Sequence, residues 1–356
     1  MNLITRKRAL VSLALAGASA LVLAGCGAAP EEGDGGDAVD FLACAVSDEG
    51  SWNDKSFNEA AYDGLLKAED ELGVAINDAE SSNPEDFEPN LTAMVDAGCD
   101  VTFAVGFNFS LNDTIFTIAD GNPDSKFVWI DGWNQGQTNL KPIAYAMEES
   151  SYLAGYLAAA YSTTKIVSTY GGLDIPAVTA FMDGFYYGAK AYEAETGTPV
   201  TVLGRDPIAG TGSFTDPALN FGDTEGAKAI SSGFLAAGSD VIFPVAGGLF
   251  ASTAEAITES GSTTALFLGV DKNIAVTSPE FADLVLTSVE KRMTQAVFDV
   301  IADLSSGGEF TVDAYLGTLE NDGTALSESD KISDELLAKL EELKAGIIDG
   351  SIDPLA

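Results

Sequence analysis

The chain has 356 residues, room for about two ordinary domains, and its 46% hydrophobic and 20% charged content suits a packed body rather than an unfolded one. Asp and Glu total 55 against 17 Lys and Arg, a formal net charge of −38 that repels phosphate backbones and excludes nucleic-acid partners. There is no histidine, which excludes Ser-His-Asp and Cys-His nucleophiles, imidazole zinc sites and the commonest general base.

In chain order, the first feature is an address. Arg6, Lys7 and Arg8 precede an apolar run from Ala9 to Val22 that is too short for a good membrane span and reads as a signal-peptide core. It ends in Leu23-Ala24-Gly25-Cys26, the pattern of a bacterial lipobox, in which the Cys receives a diacylglycerol and becomes the new N-terminus. Residues 1–25 are therefore expected to be a signal peptide, Cys26 the lipidated residue, and 26–40 a flexible acidic tether rich in Gly and Pro. Each buried lipid CH₂ contributes about 0.8 kcal/mol, so several acyl chains hold a protein at a membrane. Processing removes three basic residues and no acid, taking the charge from −38 to −41. Two further cysteines, Cys44 and Cys99, could bridge outside the cytoplasm, but both sit in apolar strand-like surroundings where a free buried thiol is common, and free thiols are expected.

Beyond the tether, short apolar runs alternate with helical patterns, the signature of βαβ units on a parallel sheet. The pattern predicts a strand at Phe41–Val46, a helix at Phe57–Leu72, strands at Val101–Val105 and Phe127–Ile130, and a helix at Tyr152–Tyr161. A strand at Ile166–Tyr170 follows, then helices at Thr179–Thr196 and Thr224–Ala237, a strand at Val241–Val245 and a helix at Thr253–Glu259. Strands at Phe267–Val270 and Leu284–Ser288 and a helix at Lys291–Leu304 complete the series. No G-x-x-x-x-G-K-[ST] phosphate loop occurs, so an ATPase would have to be a separate chain. No cofactor or metal is expected.

The series repeats itself. Ala97-Gly98-Cys99-Asp100-Val101-Thr102-Phe103-Ala104-Val105 returns as Ala237-Gly238-Ser239-Asp240-Val241-Ile242-Phe243-Pro244-Val245, an offset of 140 residues. The next strand matches at the same offset, with Phe127 and Asp131 against Phe267 and Asp271. Two similar α/β lobes follow, each with an Asp at the carboxyl end of a strand, where ligands of open α/β sheets bind. Facing lobes put Asp131 and Asp271 near one cleft that closes around a ligand.

The candidate ligand residues lie on loops at such strand ends. Between the first strand and helix, Asp48 to Asn58 form a polar turn in which Trp52 and Phe57 suit stacking on a flat ligand. Asn53 or Asp54 could cap the helix, and for Asp54 capping is the favoured role. Phe214 is the corresponding aromatic of the second lobe, although a single exposed Phe is ordinary. Gly247-Gly248 allow either a close backbone approach or a tight turn. Lys291 could donate to a ligand hydroxyl or form a surface ion pair.

The lipobox, Asp54-Lys55-Ser56-Phe57-Asn58, Tyr152-Leu153-Ala154-Gly155-Tyr156-Leu157-Ala158, Gly171-Gly172-Leu173-Asp174-Ile175-Pro176, Gly269-Val270-Asp271, Leu286-Thr287-Ser288 and the ending Ile332-Ser333-Asp334-Glu335…Gly346-Ile347-Ile348-Asp349-Gly350 together resemble the basic membrane protein family. Its members are purine-nucleoside-binding lipoproteins that serve ABC importers. The resemblance implies an α/β, type I periplasmic-binding-protein fold of two Rossmann-like lobes joined by three crossovers, with lobes at 41–145 plus 273–306 and 146–272 plus 307–356. It implies a purine sandwiched by Phe57 and Phe214, a base contact from Asp131, ribose contacts from Asp271 and Lys291, and a wall completed by Asp48, Asp54, Asn58 and Gly247. It further implies permease and ATPase partners, a monomeric receptor lipid-anchored on the extracytoplasmic face, and no catalysis. The chain departs from the family at Gly50-Ser51-Trp52, where Trp52 could narrow or re-aim the base pocket. A sugar, another flat heterocycle, a nucleoside hydrolase using two cleft carboxylates, and a ligand-free surface antigen are the alternatives.

Overall fold

The computed structural model describes residues 39–356; the expected signal segment, Cys26 and all but the last two residues of the expected tether lie outside the described residues. In chain order the elements are β1 (Leu42–Ser47), α1 (Phe57–Leu72), β2 (Ala75–Ala79), α2 (Phe87–Asp96), β3 (Val101–Val105), α3 (Thr114–Gly121), β4 (Phe127–Ile130) and β5 (Leu140–Tyr145). There follow α4 (Met147–Tyr161), β6 (Ile166–Gly171), α5 (Pro176–Thr196), β7 (Thr201–Leu203), the small hairpin β8 (Arg205–Asp206) and β9 (Thr211–Gly212), and α6 (Thr224–Ala236). The chain continues through β10 (Val241–Val245), α7 (Phe250–Ser260), β11 (Leu266–Asp271), α8 (Ile274–Thr277), β12 (Val285–Lys291) and α9 (Met293–Ser305). It ends with β13 (Tyr315–Gly317), β14 (Thr324–Leu326) and α10 (Asp334–Ile348).

Two six-stranded sheets result, ordered β2-β1-β3-β4-β5-β13 and β7-β6-β10-β11-β12-β14. Strand for strand the two orders are the same, and only β14 runs antiparallel to its neighbour. β4 and β11, which lead into Asp131 and Asp271, occupy matching places in different sheets, so the 140-residue offset is a structural repeat. The repeat extends to backbone conformation: Asp131 and Asp271 both take left-handed φ, 62° and 66°. The chain passes between the sheets three times, after β5, after β12 and after β13, as the expected architecture requires.

The lobe boundaries differ from those expected. β12, placed with the first lobe in the 273–306 segment, is the fifth strand of the second sheet, paired in parallel with β11. β13, placed with the second lobe in 307–356, edges the first sheet beside β5. The physical reason is that β12 is buried over nearly its whole length, so it belongs inside a sheet covered on both faces. The crossing to the first lobe comes only after Lys291, where α9 packs on α1 and Thr294 Oγ1 donates to the Ala60 carbonyl at 2.7 Å.

Each sheet buries both faces. In the first, Phe87, Leu91, Ile115 and Phe116 of α2 and α3 cover Phe127 and Trp129, while Leu65 of α1 and Val297 of α9 lie in the core with Phe103; fully burying each such side chain contributes about 1.5–3 kcal/mol. In the second lobe α4 and α5 approach to backbone contact: a Cβ on Gly188 would stand 1.9 Å from the Tyr152 carbonyl oxygen, so only glycine fits there. Cys44 and Cys99, expected as free thiols, form a disulfide with Cα atoms 5.9 Å apart. Strand order brings them together, because β1 and β3 are neighbours and Asp100 locks the turn before β3 by accepting from the Leu42 N–H at 2.7 Å.

Candidate functional site

Both sheet orders reverse direction between the first and third strands of each sheet in sequence, β1 and β3 in one and β6 and β10 in the other, and the crevice outside the carboxyl ends at such a switch point is where open α/β sheets bind ligands. A cavity of about 580 Å³ lies there, lined by residues of both lobes, and this is an ordinary size for a small-molecule site. Eight of the ten expected ligand residues line it: Asp48, Asp54, Phe57, Asn58 and Asp131 from the first lobe, and Gly247, Asp271 and Lys291 from the second.

The first-lobe wall is built by the β1–α1 loop. Asp48 is buried, and one of its oxygens, Oδ1, accepts from both the Gly50 N–H (3.1 Å) and Asn58 Nδ2 (3.0 Å). Its other oxygen abuts Gly106, where a Cβ would stand only 2.3 Å away. Burial, reinforced by the neighbouring Glu49, pushes the Asp48 carboxyl up to about 7. Asp54 accepts from the backbone N–H groups of Ser56, Asn58 and Glu59 at 2.8, 2.9 and 3.1 Å, so it caps α1 as well as lining the cavity. Burial raises its pKa against those bonds. Asn58 Oδ1 is buried with no protein partner among the described residues.

Lys291 is the central cation. It is 2% exposed, and its Nζ donates to both oxygens of Asp131 at 2.6 Å, an ion pair that joins the lobes. The ammonium also stands 5.0, 5.4 and 5.8 Å from the ring centroids of Phe57, Tyr145 and Phe181, a cage of cation–π contacts. Of the two strand-end carboxylates, Asp131 is therefore the direct partner of Lys291. Asp271 instead accepts from Ser56 Oγ at 2.7 Å, again across the cleft. Burial pushes Asp271 up to about 6, although the nearby charge of Lys291 opposes the rise.

Two expected residues are not in the cavity. Trp52 stacks on Tyr62 at 5.0 Å, and its indole N–H donates to Asp78 Oδ2 at 2.8 Å, so it packs over α1 and the edge strand β2 and does not narrow the pocket. Phe214 bridges to Gly171 through its backbone, and its ring covers Gly171 and Gly212, so it serves as packing. Phe221, half-buried over Gly172, and Phe181 of α5 are the second-lobe aromatics that line the cavity. The sequence reading missed both. Phe181 carries the helical spacing of a core residue, whereas Phe221 lies in a Gly-containing loop, the same signal that singled out Phe214. Asn108 and Glu49 were also missed; Asn220 Nδ2 of the second lobe donates to Glu49 Oε1 at 3.0 Å.

Chemically, the site offers flat apolar faces, acidic acceptors from both lobes and one ammonium. The chain is 30% identical over 366 residues to the ABC transporter nucleoside-binding protein BmpA of Lactococcus lactis, covering 98% of each chain. It is 31% identical over 270 residues to an uncharacterized lipoprotein of Pyrococcus abyssi, covering 73% of this chain and 62% of that one. In fold it is similar to a solute-binding protein of an ABC transporter system from Aeropyrum pernix, with a TM-score of 0.75 at 24% identity over 88% of this chain and 92% of that one. Residues 41–353 match the Bmp family model, and the chain thus belongs to the Bmp family of PnrA-like ABC transporter substrate-binding proteins.

Proposed function

We propose that this protein captures a purine nucleoside between its two lobes and passes it unchanged to separate permease and ATPase chains, held at the extracytoplasmic face of the membrane by a lipid on Cys26. The observation that carries the reading is the composition of the cavity. Phe57 on one lobe and Phe221 with Phe181 on the other offer apolar rings, and Asp131, Asp271 and Lys291 offer charged partners beside them. A molecule with a planar half and a hydroxyl-bearing half matches that division. Stacking a base on an aromatic ring is worth roughly 1–3 kcal/mol, and hydrogen bonds to charged groups contribute about 1.5–3 kcal/mol. The nucleoside-binding name of the Lactococcus relative supports the ligand class. The lipobox and the lipoprotein name of the Pyrococcus relative support the anchor.

Asp131 is engaged at both oxygens by Lys291, so it is not a free base for hydrolysing a glycosidic bond, which supports binding without chemistry. Calorimetry with adenosine and adenine tests the proposal. Loss of the ribose contacts should weaken the free base by roughly 10- to 150-fold. Equal affinities would remove Asp271 from the site. Inosine incubated with the protein should be recovered intact, and release of hypoxanthine would point to an enzyme instead.

A further inference from the structure

Lys272 lies outside the cavity and is not needed for any ligand contact, yet it ties the two lobes together. It follows β11 in the second lobe, and its Nζ donates to Glu59 Oε1 and Asp63 Oδ2, each at 2.7 Å. Both acids sit on α1 of the first lobe, four residues apart, and therefore on one face of that helix. The pair with Glu59 is sheltered, with side-chain exposure of 14% for Lys272 and 15% for Glu59, whereas Asp63 is 40% exposed. Burial by itself would lower the Lys272 pKa, but the hydrogen bonds it donates to Asp63 and Glu59 raise it, so the ammonium is held charged.

We propose that Lys272 is an interlobe clasp that sets the affinity for every ligand of this protein by stabilising the closed arrangement of the lobes, without touching the ligand. When the lobes part, Lys272 leaves; Lys55 stays 3.1 Å from Glu59, but Asp63 loses its cation and faces Glu59 as a like charge at i, i+4, an arrangement that disfavours the open state. Closing restores the cation between them. A ligand that binds only the closed form has an apparent dissociation constant inversely proportional to the closed fraction, so while that fraction is small a change in closure moves all affinities by one common factor. The clasp exists on one side only. Gly132, the repeat counterpart of Lys272, lies where a Cβ would stand 2.0 Å from the Trp129 ring, and no side chain fits there. The clasp is also electrostatic and near the surface, so salt weakens it, and binding of a neutral ligand becomes salt-sensitive.

The test uses the full chain with spin labels at two exposed helix positions, Glu88 of α2 and Thr258 of α7, and reads the interlobe distance by pulsed electron spin resonance without ligand. Lys272→Met should lower the odds of the closed form by roughly 5- to 30-fold and reduce their salt dependence to what the buried Lys291–Asp131 pair leaves, whereas Lys228→Met, which breaks an ion pair within the second lobe, should leave them unchanged. The exchange Lys272→Glu with Asp63→Lys should recover part of the closed fraction, which a merely structural role for Lys272 would not allow. Calorimetry with two unlike nucleosides should then show the same fold loss for both in Lys272→Met. Unchanged closed odds, or losses that differ between ligands, would overturn the clasp. If neither nucleoside binds the unmodified protein, the ligand-free distances alone decide, so failure of the nucleoside reading and failure of the clasp are separate results. Should Lys272→Met melt before it can be measured, Glu59→Gln with Asp63→Asn removes the same contacts and gives the same readout.

Discussion

Replacing Asp48 with Asn should stabilise the ligand-free protein at neutral pH and leave it unchanged in acid. Asp48 ordinarily titrates at 3.8, and burial, with Glu49 beside it, pushes it to about 7 in the folded protein. A carboxyl whose folded pKa is raised binds more protons folded than unfolded, so its contribution is fully present below the unfolded value and is lost as pH rises toward about 7. A shift of roughly three units at 1.36 kcal/mol each gives about 4 kcal/mol, and water admitted when the cleft opens reduces this toward about 2 kcal/mol. Asn preserves the local bonding, because the Gly50 N–H and Asn58 Nδ2 both donate to Oδ1 and the second oxygen is the one replaced by NH₂. Urea unfolding of both proteins near pH 4 and near pH 8 measures the difference. The variant should match the native protein in acid and exceed it by about 2–4 kcal/mol in mild base. A variant no more stable than the native protein at pH 8, or one whose advantage is the same at both pH values, would refute the reasoning.

Removing the disulfide with Cys44→Ala and Cys99→Ala should cost about 4 kcal/mol by chain entropy, since 55 residues separate the pair. An unfolding midpoint insensitive to the substitutions, or to reductant, would show that the bridge does not constrain the unfolded chain. Phe221→Ala should weaken nucleoside binding by about 1–3 kcal/mol, the worth of one stacking face, while Phe214→Ala should lower the melting temperature and leave affinity nearly unchanged. Calorimetry on the two variants gives the opposite ranking if Phe214 is the stacking residue.

Several residues that line the cavity were legible because their signals are local. Asp131 and Asp271 end strands that repeat at a fixed offset, and Asp54, Phe57 and Asn58 sit where a strand-to-helix loop must open toward the crevice. Phe214 and Phe221 have nearly the same local signal, an aromatic in a Gly-containing loop, and were separable only by the Gly171 bridge that turns one of them into packing. Trp52 looked like a ligand residue because its partners, Tyr62 and Asp78, come from α1 and the edge strand β2, which the apolar pattern did not announce.

The sequence by itself determined the α/β class, the two-lobe repeat and the loops that carry the site, because periodicity and strand-end chemistry are written within a few neighbouring residues. The tertiary structure alone decided that β12 belongs to the second sheet, that Cys44 reaches Cys99, and that Lys291 pairs with Asp131 rather than Asp271. Each of these depends on which distant segments become neighbours, and strand order, not local propensity, fixes that. The same holds for Lys272: its identity is visible in the chain, but its role arises only where the second lobe comes down on α1.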